Sequence, residues 1–472
     1  MPRDRIVPLI IAVALFMENM DSTVIATSLP AIAGAIGSNP LALKLAVTSY
    51  LLSLAIFIPA SGWTADRFGA RTVFRAAIAV FVLGSIGCAL SGSLSDFVIA
   101  RIVQGMGGAM MTPVGRMVLV RTIPKRELVG AMAWVTTPAL IGPVLGPPVG
   151  GFITTYATWH WIFIINVPIG LLGIALATRY IDDIRAQDHE RFDIVGMVLA
   201  GLGIAGIAFG ASVLGLNFLP WWIVVALVAG GGVFLVAYCA HARHTDNPAL
   251  DLTLFRLPTF FASVVGGFIF RLGLGALPFL LPLMLQLGFG MTPFQSGLIT
   301  FATAFGAMGM KWATASILRR FGFRTILTIN SVISAGFLAV CAFFTAATPV
   351  LVMSLLLFVG GFFRSLQFTS INTLAYAEVE PDRVSRATSI VSVAQQLAIS
   401  AGVALGALAV DATLRIKGDP TLNADAFPPA FLAVALISAL SVLIFVRLAP
   451  DAGAEMADRL PAPTETSDQR VA

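Results

Sequence analysis

ADRFGARTVF, residues 65–74, returns much later in the chain as LRRFGFRTIL, residues 318–327. Both stretches contain RFGxRT, so five of six positions are identical. Each joins two long apolar runs. A short basic connection that recurs between apolar segments marks a duplicated helical bundle.

The surrounding composition fits that architecture. Of 472 residues, 58% are hydrophobic and 11% charged, with a mean hydropathy of +0.91. A soluble domain carries about 25% charged residues, so this chain cannot cover itself with a polar surface. Segments of about 20 apolar residues, bounded by charge or turn residues, predict fourteen transmembrane helices in an all-α membrane protein. They cover 7–34, 43–65, 72–92, 96–120, 128–154, 160–179, 193–215, 219–240, 258–286, 293–316, 325–346, 350–375, 387–412 and 427–447. The Gly/Pro-rich segments 128–154 and 258–286 are expected to kink.

An even number of spans puts both termini on one side. By this reading about 21 Lys and Arg face that side, whereas Lys44, Arg415 and Lys417 face the other, so the positive-inside rule makes both termini cytoplasmic. The repeated connections follow the second and tenth segments. This divides the chain into parallel six-helix bundles at 1–191 and 258–449, with residues 192–257 as an extra helical pair and linker. Residues 450–472, poor in hydrophobic residues, read as a disordered cytoplasmic tail.

Several function classes are excluded. The net charge of +5 comes from Lys and Arg spread singly through short loops, which does not form a nucleic-acid surface. Cys88, Cys239 and Cys341 lie in apolar runs without neighbouring His, so neither a disulfide framework nor a metal site is indicated. No GxxxxGKS pattern, nucleophile or cofactor constellation appears, so the chain does not read as an enzyme or an ATP-driven pump. The longest cytoplasmic stretches, 180–192 and 241–257, are too short for a sensing domain. The start reads as a first span and not as a removable signal peptide.

MENMDSTVIATSLP, residues 17–30, sets Glu18 and Asp21 inside an apolar run. A carboxylate near a bilayer centre costs roughly 2.5–3.5 kcal/mol on insertion scales, so a partner is required. Asp21 lies about 15 residues into the first span, roughly 22 Å from the starting face. Arg101 lies about five residues into the fourth, which runs oppositely, roughly 8 Å below the other face. In a core about 30 Å thick these depths coincide, and Arg101 becomes the counter-charge for Asp21. Glu18 shares that face one turn away. Such a pair either carries protons or statically locks two helices.

Other candidates follow from residue type and place. Gly62, Asp66, Arg67, Gly69 and Arg71 surround a tight cytoplasmic connection in which Gly69 supplies the backbone freedom. In the second copy Arg319 replaces Asp66, so the two connections should not gate identically. Gly142, Pro143, Gly146, Pro147, Pro148, Gly150 and Gly151 thin the fifth helix and favour close packing. Arg116 and Lys311 lie near helix ends, where long stems snorkel. Arg271 and Arg364 lie roughly 20 Å deep, with no acid in their own helices to pair with. Such arginines attract an anion, or Arg271 binds carbonyls loosened by Gly273 and Gly275. Gln104, Gln367, Gln395 and Gln396 are further polar candidates for a substrate cavity. Phe270, Phe279, Phe301, Phe305, Met308 and Met310 read as packing or lipid-facing residues.

These stretches resemble the major facilitator superfamily, and within it the fourteen-span drug:proton antiporters of the EmrB and QacA type. MDSTVIATSLPAIA (20–33), GWTADRFGART (62–72), FVIARIVQGMGGAMMTP (97–113), LIGPVLGPPVGG (140–151) and WHWIFIINVPIG (159–170) are similar to that family's motifs. The resemblance implies a proton-coupled exporter of small amphipathic molecules in the bacterial inner membrane, monomeric, working by alternating access. It assigns proton coupling to Asp21, Arg101 and Glu18, a cytoplasmic latch to the 62–72 turn, and a leak-proof helix contact to the 140–151 motif. Pro147-Pro148 stands where Gly-Gly or Gly-small is commoner. Protons, a small-molecule substrate and membrane lipid are the implied partners. Some members of the family add a periplasmic adaptor, for which no docking surface is visible in this sequence. The alternative is a proton-coupled exporter of an anionic metabolite such as a carboxylate.

Overall fold

Backbone N–H and C=O groups in hydrocarbon must be satisfied within their own segment, which makes helices the default for a chain this apolar. The computed structural model describes residues 3–123, 125–182, 193–214, 219–245, 247–380, 383–418 and 422–457. Among them there is no strand, and fourteen helices have 13 residues or more. They are α1 (Arg3–Val24), α2 (Lys44–Phe57), α3 (Ala70–Leu90), α4 (Leu94–Thr122), α5 (Lys125–Tyr156), α6 (Asn166–Tyr180) and α7 (Ile194–Val213). There follow α8 (Trp221–Ala242), α9 (Gly267–Leu283), α10 (Pro293–Phe321), α11 (Phe323–Val340), α12 (Val350–Leu374), α13 (Val384–Lys417) and α14 (Phe427–Ala439).

Twelve helical runs among the described residues are long and apolar enough to cross a membrane, which makes this a multi-pass membrane protein. The runs of α5 and α10 are not in that set, so fourteen qualifying spans are not reached. Both are nevertheless long helices, and the reason is where they pack. α5 and α10 lie against each other, each burying a face on protein instead of lipid. α10 accordingly carries Ser296, Thr300, Thr303 and Thr314. Within and just after 258–286 the helix changes to π-helical turns at Ala262–Gly266 and Met284–Gly288, on either side of α9.

The repeat is visible in the backbone. Gly69 has φ +91° between the Ser61–Phe68 helix and α3, and Gly322 has φ +76° between α10 and α11. In each copy the glycine N–H closes the preceding helix, onto Ala65 O at 3.0 Å and onto Leu318 O at 2.8 Å. Only glycine takes that φ without strain, so the G of RFGxRT is a geometric requirement in both places.

The two halves share one core at the end of the bundle opposite the N-terminus. There Leu29, Ile32, Phe97 and Phe163 pack in one cluster with Phe279, Leu283, Phe427 and Phe431. At the N-terminal end the cores are separate: Ile11, Phe74 and Val118 in one half, Phe270, Phe323 and Leu374 in the other.

α7 and α8 pack on each other, and α7 lies across the seam between α2 and α13. At the far end Lys44 Nζ donates to Leu214 O at 3.1 Å. At the near end Asp193 accepts from Gly196 N and pairs with His241 at 2.7 Å. The connection after α8 is then strapped to α13 by Asp251–Arg383 at 2.6 Å and by Arg386 donating to Asn247 at 2.5 Å. Of the expected tail, residues 451–457 form turns and a short 3-10 helix that seats Ala457 against the α11 core, while 458–472 lie outside the described residues. Most of the 180–192 connection, residues 183–192, also lies outside them.

Candidate functional site

Five helices of the first half converge on one carboxylate. Asp21, on α1, is wholly buried, and Arg101 of α4 reaches it with Nη1 2.7 Å from Oδ2. Gln104, one turn further along α4, donates Nε2 to Asp21 Oδ1 at 2.9 Å and accepts from Arg101 at 2.6 Å. Asn166, at the start of α6, donates to the same Oδ1 at 2.9 Å. Ser85 of α3 accepts from both amides, at 2.8 and 3.2 Å. Tyr50 of α2 lays its ring 4.2 Å from the Arg101 guanidinium carbon. A buried ion pair holds only when further hydrogen bonds satisfy its lone pairs, and the two amides supply them.

Glu18 sits one turn nearer the N-terminal end, half-buried, and accepts from Thr112 Oγ1 at 2.7 Å. A Cβ on Gly108 would lie 3.2 Å from Tyr50 Oη and 3.7 Å from Glu18 Cγ, so this glycine keeps the space between them open. Tyr50 Oη, Arg101 Nε and Asn166 Oδ1 are buried without a hydrogen-bond partner.

The second half repeats the frame with different charge. Arg364-x-x-Gln367 on α12 copies the spacing of Arg101-x-x-Gln104 on α4. Gln367 donates to Ser331 of α11 at 2.8 Å, as Gln104 does to Ser85 of α3. It also accepts from Asn330 at 2.9 Å. Where α1 brings Asp21, the opening helix α9 brings Arg271. Arg271 is 2% exposed, donates Nη2 to Asn372 Oδ1 at 2.8 Å and lies 5.0 Å from the Phe368 ring. Its Nε is buried without a partner. Arg364, Phe368 and Asn372 follow one another at four-residue steps, so both arginines work along one face of α12. Among the described residues neither has a carboxylate within ion-pair distance, and Arg364 has no hydrogen bond.

Several expectations are thereby revised. Gln104 and Gln367 do not line a cavity: both are wholly buried in side-chain networks. Gln395 is half-buried. Arg271 bonds a side-chain amide and not loosened carbonyls. Gly273 and Gly275 instead admit neighbouring helices, since a Cβ on them would lie 2.5 Å from Val434 O and Ile399 O. Arg116 and Lys311 are exposed, as snorkelling stems would be. Of the aromatic and methionine candidates, Phe270, Phe279 and Met310 are buried, whereas Phe305 and Met308 are exposed.

The Gly/Pro motif of α5 has two working faces. Cβ atoms on Gly142, Gly146 and Gly150 would strike α1, at 3.0 Å from Phe16 O, 2.0 Å from Thr23 Oγ1 and 2.3 Å from Val24 O. One on Gly151 would lie 2.3 Å from Pro293 O, and one on Gly297 of α10 would lie 2.3 Å from Pro147 O. The motif therefore joins the ion-pair helix to the opposite half. Pro143 and Pro147 lack an N–H, and the Pro147 carbonyl accepts from Thr27 at 3.4 Å.

In the 62–72 motif, two helices meet at Gly69: Gly62 and Asp66 are half-buried, Gly69 is buried, and exposed Arg67 stacks 5.6 Å from the Trp63 ring. Arg71 reaches Ile181 O at the end of α6, at 3.5 Å.

Sequence reasoning missed Tyr50, Ser85, Thr112, Asn166, Asn330, Ser331 and Asn372. The RxxQ spacing shared by α4 and α12 was a readable signal for part of this set, as was Asn166 inside the apolar run IFIINVPIG.

Comparison with known proteins agrees with this architecture. The family model of the Major Facilitator Superfamily matches residues 11–238 and 263–468. The chain is 38% identical over 450 residues to "Putative multidrug resistance protein MdtD" of Salmonella heidelberg (strain SL476) and of Salmonella typhimurium (strain LT2), covering 94% of each chain. Among solved structures it is similar to a D-xylose-proton symporter (TM-score 0.67, 16% identity, 96% of this chain and 99% of that one). It is also similar to a bacterial homologue of the human lysosomal transporter Spinster in an inward-facing, unoccupied conformation (TM-score 0.66, 15% identity, 98% and 99%). Motifs, duplicated bundle and matches over nearly the whole length agree: the chain belongs to the Major Facilitator Superfamily of membrane transporters.

Proposed function

We propose that this transporter is a proton-coupled exporter of small amphipathic molecules, a multidrug efflux antiporter of a bacterial inner membrane working by alternating access. In this reading α1–α6 and α9–α14 are the two moving bundles, α7 and α8 are the extra pair, all fourteen helices span, and both termini are cytoplasmic. The observation that carries it is the wholly buried Asp21–Arg101 pair. A titratable ion pair in the middle of a transporter bundle favours function over mere cohesion.

The proposed cycle releases its proton at the N-terminal end, where the cores of the two halves are separate. Asp21 takes its proton from the opposite, outer side, and Glu18 receives it past Tyr50 when the site resets towards the cytoplasm. Protonated Asp21 releases the Arg101 guanidinium, and the α4 rearrangement it permits is transmitted through the α5 glycine faces to the other half. The 62–72 turn holds the cytoplasmic side closed in the opposite state. Relatives named for multidrug resistance support amphipathic drugs as the cargo.

A second reading, export of an anionic metabolite such as a carboxylate, is favoured by one observation. Arg271 and Arg364 stand in the half that lacks an equivalent of Asp21, which leaves that half net positive at mid-depth. Both readings are tested with everted membrane vesicles and a pH-sensitive dye, adding lipophilic cations in one series and di- and tricarboxylates in another. Dye recovery with cations, lost in Asp21→Asn, supports the multidrug antiporter. Recovery only with carboxylates, lost in Arg364→Gln, replaces it with the anion exporter. Normal proton exchange in Asp21→Asn rejects the proton-carrier role.

A further inference from the structure

The extra helical pair does not lie flush on the bundle. Between α7 and α8 on one side and α2 and α4 on the other is a cavity of about 480 Å³. That is within the range of about 300–1,000 Å³ typical of small-molecule sites. Its wall carries no charged side chain. The polar groups on it, Ser49 and Ser53, already donate to Ala46 O at 3.1 Å and Ile102 O at 2.8 Å. No side-chain donor is left free on the lining to recognise a polar ligand.

Position selects the occupant. Every lining residue lies within helices able to span the membrane, so what reaches the cavity is hydrocarbon. The walls run out onto the lipid-facing surface through Ile102, Leu202 and Phe234, which are 40%, 48% and 38% exposed. α8 is the least buried of the spans, with 17% of its apolar window covered by protein. A void this large forfeits dispersion contacts on every wall unless it is filled. We propose that the cavity is a lipid site that holds one acyl chain of a membrane phospholipid, recognised by its chain and not by its headgroup.

The site has a mechanical neighbour. Ser49 and Ser53 line the cavity from α2, and Tyr50 of the same helix lies on Arg101. An acyl chain in the cavity therefore backs the helix that presses on the ion pair.

Two glycines provide a matched test. A Cβ on either Gly230 or Gly232 would meet nothing within 4 Å, yet only Gly230 lines the cavity. The protein is reconstituted in vesicles containing phosphatidylethanolamine or phosphatidylglycerol that bears a mid-chain diazirine, irradiated, and mapped by peptide mass spectrometry. Residues 49–57 of α2 are the diagnostic peptide, because Ser49, Leu52 and Ser53 are at most 9% exposed and screened from bulk lipid by the extra pair. The expected result is α2 labelling with both headgroups, lost several-fold in Gly230→Phe and kept in Gly232→Phe, while lipid-facing labels on α8 persist in both variants. No α2 labelling in the unmodified protein overturns the proposal, as does α2 labelling that survives Gly230→Phe. Labelling confined to one headgroup overturns chain-only recognition.

Discussion

α4 and α12 carry the same R-x-x-Q spacing, and the two halves use it in opposite ways. In the first half Arg101 and Gln104 close around Asp21, so the charge is neutralised inside the protein. In the second, Gln367 keeps its serine contact, but the opening helix brings Arg271 in place of an acid. Duplication preserved the amide network that fixes helix positions and let the charge diverge. In the proposed function, the uncharged contacts belong to the scaffold and the charges to what each half binds.

The largest expected effect tests this division directly. Arg101→Leu leaves the Asp21 carboxylate buried and uncompensated and should cost about 3–5 kcal/mol in detergent-solubilised thermal unfolding. Asp21→Leu added to it should recover much of that loss. Arg364→Leu removes an arginine with no ion-pair or hydrogen-bond partner among the described residues and should change stability by less than about 1 kcal/mol. Equal costs at Arg101 and Arg364 would break the comparison.

A smaller effect is expected where the halves meet. Gly151→Leu drives a side chain into Pro293 O and should destabilise by about 1–3 kcal/mol, with slowed substrate flux in vesicles. Gly232→Leu, in open space on α8, is the control. At the level of single hydrogen bonds, Asn166→Ala and Asn330→Ala should each cost about 1–3 kcal/mol. Only Asn166→Ala should also shift the pH dependence of transport, because only Asn166 touches the carboxylate.

The smallest effect concerns the strap on α13. Burial alone would raise the Asp251 carboxyl, but bonds from Thr253 and Arg383 hold it below its ordinary value. A depressed carboxylate stabilises above its unfolded value, about 3.9, and the contribution disappears as pH falls through the lower folded value. Asp251→Asn should therefore lower the melting temperature at neutral pH, with the difference closing as pH falls through the lowered folded value.

How much was legible in the sequence depended on whether one element sufficed to carry the signal. The Asp21–Arg101 pairing followed from helical rise and bilayer thickness, because both residues lie on regular helices that cross the same slab. The RFGxRT repeat predicted equivalent turns, and Gly69 and Gly322 share their positive φ for a steric reason local to the motif. Gln104 was read as a cavity residue because a buried amide in an apolar run looks like any cavity amide until its partners on other helices are known. Asn166, Ser85 and Tyr50 were missed for the same reason. The place of the extra pair, across the α2–α13 seam, has no sequence signature at all, since α7 and α8 are apolar on every side. α5 and α10 ran the other way, with polar and small residues that weaken a span signal but fit a helix packed against protein.

Cys88 has a consequence of its own. Its sulfur lies 3.7 Å from Gln104 Oε1, wholly buried beside the ion pair, while Cys341 is buried elsewhere and Cys239 is exposed. The chain has three cysteines, so replacing Cys239 with serine removes the exposed thiol. What is left at the carboxylate is a native reporter: a thiol-reactive label can reach Cys88 only while the helices around Asp21 stand apart, and its rate of modification times how often they do.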